Sequence, residues 1–189
     1  MDPLSERELV ERLRRGEPEA FERVYESERT AVYGFLLRLC RDESVAADLF
    51  QNVWLKLARH APQLREDSNL RAWLLTVARH EFASFRRAEA LDLSRLLLLG
   101  RTPRHEAVSG PDDDTRRSLR AAFDRLGDAD REVLLLSALG DLDSEALALA
   151  LGVSGEALRQ RLARARRRLA KALDELEQPF AASITKGAR

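Results

Sequence analysis

The chain has 189 residues, 44% of them hydrophobic and 34% charged, with 32 basic side chains against 32 acidic ones. This composition excludes a disordered polyelectrolyte and supports a genuine core, in one medium domain or two small ones. No apolar run approaches the roughly 18 to 20 residues that a membrane helix needs. The acidic start MDPLSEREL lacks the apolar segment of a signal peptide, and Cys40, the single cysteine, allows neither an intrachain disulfide nor a cysteine-rich zinc site. A cytoplasmic protein is the expectation.

Taken in chain order, every element reads as helix. β-branched residues are few and period-2 alternation never persists, so an all-α fold is expected. A first helix covers about Ser5 to Arg15 and stops near Gly16, and Pro18 suits the first turn of the next. The second carries Phe21, Val24, Val32, Phe35, Leu36 and Leu39, mostly three or four residues apart. Ser44 is the expected cap of a third helix, with Val45, Leu49, Val53 and Leu57 at i, i+4 spacing. After the polar connection APQLREDSN, Ser68 or Asn69 can cap a fourth, bearing Leu70, Trp73, Leu74, Val77 and Phe85 and expected to end at Arg86-Arg87.

Around Arg101 to Asp114 apolar periodicity gives way to GRTPRHEAVSGPDDD, which reads as a linker. A second block follows. LRAAFDRL and DREVLLLSAL are each a helix, Asp143 or Ser144 can cap the short SEALALAL, and Gly152-Val153-Ser154 makes a turn. A last helix then runs from about Gly155 to Glu177, until Pro179, before a frayed tail, AASITKGAR. The expected layout is 1–90 as one helical domain, 91–114 as linker, 115–178 as a second domain and 179–189 as tail.

The zero net charge hides a segregation. Asp112 to Glu145 holds ten acidic and five basic residues, whereas Val153 to Leu173 holds seven basic and one acidic. Only three of the 32 basic residues are lysine, and arginine binds phosphate and base edges with two parallel hydrogen bonds. A short helix, a Gly-containing turn and a second helix make a helix-turn-helix pattern. Leu147 and Leu151 face inward from its first helix. Leu158, Leu162, Ala165, Leu169 and Leu173 form a dry stripe on the second, leaving Glu156, Arg159, Gln160, Ala163 and Arg164 outward near the end that reads a major groove. Arginine suits guanine, Gln suits adenine and Glu suits cytosine. Arg166, Arg167 and Arg168 lie further along, where phosphate contact is expected.

LGVSGEALRQRLARARRRL, with LGDADREVLLLSALGDLDSEALALALGVS leading into it, resembles region 4 of the extracytoplasmic-function (ECF) sigma factors of bacterial RNA polymerase. FERVYESERTAVYGFLLRLCRDESVAADLFQNVWLKLARH, with its Asp48-Leu49-Phe50-Gln51 signature, resembles regions 2.1 and 2.2. NLRAWLLTVARHEFASFRR resembles regions 2.3 and 2.4. The resemblance implies a region 2 bundle and a region 4 helix-turn-helix, and a promoter-specificity subunit without catalytic chemistry or cofactor. Its implied partners are promoter DNA, core polymerase (β′ clamp helices and β flap) and an anti-sigma factor.

By the same resemblance Asp48, Gln51, Asn52 and Leu55 dock on the clamp helices, Asn52 standing where relatives often carry Glu. Arg71, Arg79, Arg86 and Arg87 contact −10 phosphates. Trp73 wedges at the upstream edge of the melted element, and His80 stands where relatives usually have Asn. The loop from Pro62 to Asn69 matches the −10 recognition loop. Ser154, Glu156, Arg159, Gln160, Arg164, Arg166 and Arg167 face the −35 element. Read from pattern alone, the competing expectations are a stand-alone helix-turn-helix regulator and a helical interaction protein, with Trp73 as core and Asp48 and Gln51 as solvated polar residues. Asp112, Asp113 and Asp114 read as a solvated run or a helix-start acidic cluster, and His60, His80 and His105 lack metal-ligand spacing.

Overall fold

The computed structural model describes residues 5–98, 114–138 and 142–184, with side chains at 5–89, 117–138 and 142–176. Several of the eight helices among these residues have local reasons for their ends. Helix α1 (Glu6–Arg14) opens with a reciprocal cap in which Ser5 Oγ accepts from the Glu8 amide while the Glu8 carboxylate accepts from the Ser5 amide. Gly16, at φ +75°, turns the chain into α2 (Pro18–Cys40), with proline at its first turn.

Arg41 ends α2 in the left-handed region, φ 60°, donating its amide to the Leu37 carbonyl at 2.9 Å. The expected cap of the next helix is corrected here. Asp42, not Ser44, caps α3 (Glu43–His60), its Oδ1 accepting from the Val45 amide at 3.0 Å. The left-handed turn at Arg41 reverses the chain two residues earlier than the apolar spacing suggests, so the first free amides meet Asp42.

A 3₁₀ turn, Ala61–Gln63, leads to α4 (Leu70–Leu98), which Asn69 caps through its Oδ1 and the Ala72 amide at 2.8 Å. This helix does not stop at Arg86-Arg87 but continues to Leu98, because neither arginine breaks a helix and no Gly or Pro intervenes. The expected linker lies largely outside the described residues, as do Asp112, Asp113 and His105.

The second block contains α5 (Asp114–Asp124), α6 (Asp128–Ala138), α7 (Ser144–Leu151) and α8 (Gly155–Ile184). The last helix runs past Pro179 rather than ending there. A proline removes one amide donor, and here the helix continues across the loss. Of the tail expected to fray, 185–189 lie outside the described residues.

In the first block α2, α3 and α4 pack on one another, and α1 closes one end. Their buried stripes include Val24, Val32, Phe35, Leu36 and Leu39 from α2, Ala46, Leu49, Val53 and Leu57 from α3, and Leu74, Leu75, Ala78 and Phe82 from α4. An aromatic cluster staples α2 to α3. Tyr25 meets the buried Trp54 edge-on at 4.8 Å between centroids, and Phe50 meets Tyr33 at 5.6 Å. In the second block α5 and α6 lie against α8 and bury Ala122, Leu126, Val133, Leu136, Leu158 and Ala165. The blocks also touch: α7 lies against α4 and α6 against α2, so their apolar residues form one continuous cluster.

Candidate nucleic-acid and polymerase interface

The turn between α7 and α8 is fixed by three local devices. Asp143 Oδ1 accepts from the Ala146 amide at 2.7 Å and starts α7. Gly152 ends it at φ 63°, where a side chain would be strained, and the Val153 amide closes the turn on the Ala148 carbonyl at 3.0 Å. Ser154 Oγ then accepts from the Ala157 amide at 3.2 Å and starts α8. The hydroxyl expected at the −35 element is thus also a helix cap.

Beyond the turn, α8 divides by face. Leu158, Ala165 and Ala172 are buried and Leu162 and Leu169 half-buried, while Glu156, Arg159, Gln160, Ala163, Arg164, Arg166 and Arg167 are exposed. The polar contacts along the open face are long. Gln160 Nε2 donates to Glu156 at 3.4 Å, Arg164 Nε to the Gln160 carbonyl at 3.4 Å, and Arg167 Nε to the Ala163 carbonyl at 3.2 Å. Contacts of that length are exchanged for a phosphate or base edge with little loss. Arg168 differs, because it is held on Asp130 of α6 at 2.5 Å.

On α3, Asp48, Gln51, Asn52 and Leu55 form one exposed stripe, three or four residues apart, on the side away from Ala46, Leu49, Val53 and Leu57. Leu55 is 53% exposed, a large apolar side chain amid polar neighbours.

On α4 the expected DNA face divides. Trp73 is half-buried and packs on the core. Arg71 Nε and Nη2 reach both carboxylate oxygens of Glu28 on α2, at 2.7 and 3.1 Å. Arg79 and Arg86 reach across to the second block, Arg79 to Glu132 at 2.9 Å and Arg86 to Asp128 at 3.1 Å. His80 and Arg87 are exposed, and Arg87 donates to Ser84 Oγ at 2.9 Å. Partial burial, then the neighbouring Arg79, Lys56 and Arg87 charges, hold the His80 imidazole below its usual range, which favours the neutral ring.

The loop before α4 is tied down by Arg65, whose Nε and Nη2 bond Asp67 at 3.0 Å each, and by Arg7 of α1, 2.7 Å from Glu66. Around these residues and Ser68 lies an open hollow of about 660 Å³. Asn69 is occupied as the α4 cap.

The residues that sequence reading did not single out lie between the blocks: Arg41, Asp124, Asp128, Arg131 and Glu132. The excess of acid from Asp112 to Glu145 was the available signal, but charge counting does not say which cations it faces. Among the described residues no group of three or more His, Cys, Asp or Glu could hold a metal ion, and no helix is long and apolar enough to cross a membrane.

A capped helix-turn-helix with an arginine-rich outer face, coupled to a second bundle with its own basic helix and a separate exposed polar stripe, is the architecture of a helical DNA-binding transcription protein. Comparison with known proteins narrows this. Residues 24–91 match Sigma-70 region 2, and residues 116–169 match Sigma-70, region 4. RNA polymerase sigma factor CarQ of Myxococcus xanthus is 30% identical over 169 residues, covering 89% of this chain and 97% of its own. The ECF RNA polymerase sigma factor SigK of Mycobacterium ulcerans is 28% identical over 176 residues, 88% of this chain and 92% of its own. Among solved structures, sigma factor RpoE in complex with the anti-sigma factor NepR from Bartonella quintana superposes with a TM-score of 0.68 at 26% identity, over 82% of this chain and 96% of that one. CnrH, solved with the cytosolic domain of CnrY, shares the fold at a TM-score of 0.67 and 23% identity, over 89% and 97%.

The chain therefore belongs to the sigma-70 family, as an ECF sigma factor, the kind of subunit that binds core RNA polymerase and directs promoter-specific initiation. That membership displaces the stand-alone regulator.

Proposed function

We propose that this chain reads the −35 element with the exposed face of α8 and the −10 element with α4 and the loop before it, while the α3 stripe seats it on the polymerase β′ clamp helices and the second block meets the β flap. The observation that carries this reading is the capped turn at Gly152–Ser154. It presents Glu156, Arg159, Gln160 and Arg164 together at the start of α8, backed by a dry stripe. Arg159, Gln160 and Glu156 face base edges, Arg164 stands between base and backbone, and Arg166 and Arg167 face phosphates. Ser154 combines capping with a backbone contact.

On α4, Trp73 supports the upstream edge of the melted segment through its core-anchored ring, with His80 and Arg87 beside it. Arg79 and Arg86 join them once freed from the second block. Arg71 acts from its Glu28 partner. Asp48, Gln51, Asn52 and Leu55 form the clamp contact, with Leu55 supplying the apolar centre. The working division is 1–90 for region 2, 91–114 for the connection, which opens with the last turns of α4, 115–178 for region 4 and 179–189 for the tail, which opens with the end of α8. We further infer a cytoplasmic protein with no catalytic chemistry of its own, held in check by an anti-sigma partner, as the relative from Bartonella quintana is in complex with one.

Transcription in vitro from fragments of the source genome, with core polymerase and with or without the chain, tests the reading. Starts that need the chain and share two upstream elements support it. Starts that share a −10 element but remain unchanged when Arg159 and Arg164 are both replaced by Ala would remove α8 from recognition.

A further inference from the structure

The loop before α4 is held from outside itself. Glu6, the first residue of α1, accepts from the Leu70 amide with Oε1 at 2.9 Å, although the two stand 64 positions apart. Leu70 opens α4, and its amide has no partner inside that helix. Asn69 takes the Ala72 amide, so two of the amides at this end are satisfied, one of them by another helix. A carboxylate there also meets the positive end of the α4 dipole. Further back in the loop, Glu66 lies between two arginines of α1, with Arg7 Nη2 2.7 Å from Oε2 and Arg14 Nη1 3.6 Å from Oε1. Arg7 and Arg14 stand two turns apart on one side of α1. The reciprocal Ser5–Glu8 cap fixes the first turn of α1, from which Glu6 and Arg7 project.

Burial holds the ends of this loop but not its middle. Ala61, Leu64 and Leu70 are buried, whereas Arg65, Glu66 and Asp67 are exposed and Ser68 half-buried. The Arg65–Asp67 fork and the Ser68 amide, bonded to the Arg65 carbonyl at 3.0 Å, curve the segment on itself. The contacts to Glu6, Arg7 and Arg14 add its direction relative to the bundle. Exposed pairs of this kind contribute little to global stability, so their effect falls on the local conformation. The open hollow of about 660 Å³ is walled by Glu6 and Arg7 on one side and Arg65–Ser68 on the other, and its shape changes if the two part.

We propose that α1 is a positioning element for −10 recognition: Glu6, together with Arg7 and Arg14 acting through Glu66, latches Arg65–Ser68 in the shape that meets the −10 element. The link to recognition rests on the reading of that loop given above. The latch itself does not.

The experiment uses the full chain with Glu6→Ala, which removes the acceptor, Glu6→Gln, which keeps an oxygen in its place, and Arg7→Ala, which weakens the bridge to Glu66 from an exposed position. Each is checked for unchanged helix content and urea midpoint. Hydrogen exchange at the Leu70 amide is expected to quicken by about three- to tenfold in Glu6→Ala and to stay near wild type in Glu6→Gln. In the holoenzyme, transcription from promoters carrying each base at each −10 position is expected to show discrimination reduced by a similar factor in Glu6→Ala and, to a lesser degree, in Arg7→Ala. Glu6→Gln is expected to retain it, and −35 discrimination and affinity for core polymerase are expected to stay unchanged in all three. Unchanged Leu70 exchange in a folded Glu6→Ala chain would overturn the latch. A looser loop with −10 discrimination intact, while Arg65→Ala with Ser68→Ala lowers it, would overturn the role of α1 and leave the loop reading standing. Discrimination unaltered by Arg65→Ala with Ser68→Ala would overturn the loop reading and with it the proposal.

Discussion

Arg71 and Glu28 face each other as two forks, with Nε 2.7 Å from Oε2 and Nη2 3.1 Å from Oε1, and side chains only 24% and 12% exposed. The pair joins α4 to α2 across the first block. Lysine keeps the charge but cannot supply two parallel donors. Arg71→Lys is therefore expected to destabilise the chain by about 1–3 kcal/mol in urea unfolding. Loss of promoter binding in proportion to the loss of folded protein would assign Arg71 to this joint alone. A loss persisting at full folding would add a DNA contact.

Ser154 caps α8 and is also placed beside the −35 element, and one substitution separates these roles. Ser154→Asp retains an oxygen for the Ala157 amide and adds a negative charge. Stability is expected to hold while promoter affinity falls through repulsion from phosphate. Ser154→Ala instead is expected to lower stability by about 1 kcal/mol. Equal promoter affinity for wild-type and Ser154→Asp would confine Ser154 to capping.

Arg159 and Arg164 are exposed and held by no short contact of their own helix. Arg159→Ala or Arg164→Ala is expected to weaken promoter recognition by about 1–3 kcal/mol at a matched site if the residue reads a base. A phosphate contact is expected instead to weaken all sequences alike and to flatten the salt dependence by about one unit of slope. Affinity of the holoenzyme measured against salt, for matched and mismatched −35 elements, distinguishes the two.

Leu55, 53% exposed on the α3 stripe, contributes little to the core. Leu55→Ser is expected to change stability by no more than about 0.5 kcal/mol while weakening binding to core polymerase several-fold. Titration of core polymerase with labelled chain checks this, and an unaltered affinity would move the docking surface elsewhere.

Burial, followed by the Asp42 charge, pushes the Cys40 thiol up to about 12, with Arg131 opposing. In the unfolded chain a thiol ionises near pH 8.5, so between there and about 12 the folded chain holds the proton more tightly. The stability this contributes is complete below the unfolded value and lost as pH rises through that window. Cys40→Ala is expected to show a smaller drop in urea midpoint between pH 7 and pH 10 than the wild-type chain. An identical drop would mean that the thiol is not coupled to folding.

The elements and their faces were legible from residue spacing alone. The 3- and 4-residue spacings of Leu49, Val53 and Leu57, or of Leu158, Leu162, Ala165 and Leu169, leave one side of each helix dry whatever packs on it. The turn at Gly152 is local chemistry, and so is the cap at Asp143. Helix ends at α3, α4 and α8 were less legible. Each depended on a single competing signal, a left-handed Arg41, an unbroken run after Arg87, or a proline that the helix crosses.

What the exposed charges meet emerged from the packing of the helices. Arg71, Arg79, Arg86 and Arg87 look alike in sequence, one basic set on one helix. In the fold Arg71 faces Glu28 on α2, Arg79 and Arg86 face α6, and Arg87 donates to Ser84 one turn back. An ion pair forms across a few ångströms between residues 43, 53 or 42 positions apart in the chain, and no helical period encodes that distance. Periodicity specifies which way a side chain points; only the packing of one helix on another specifies what it finds there.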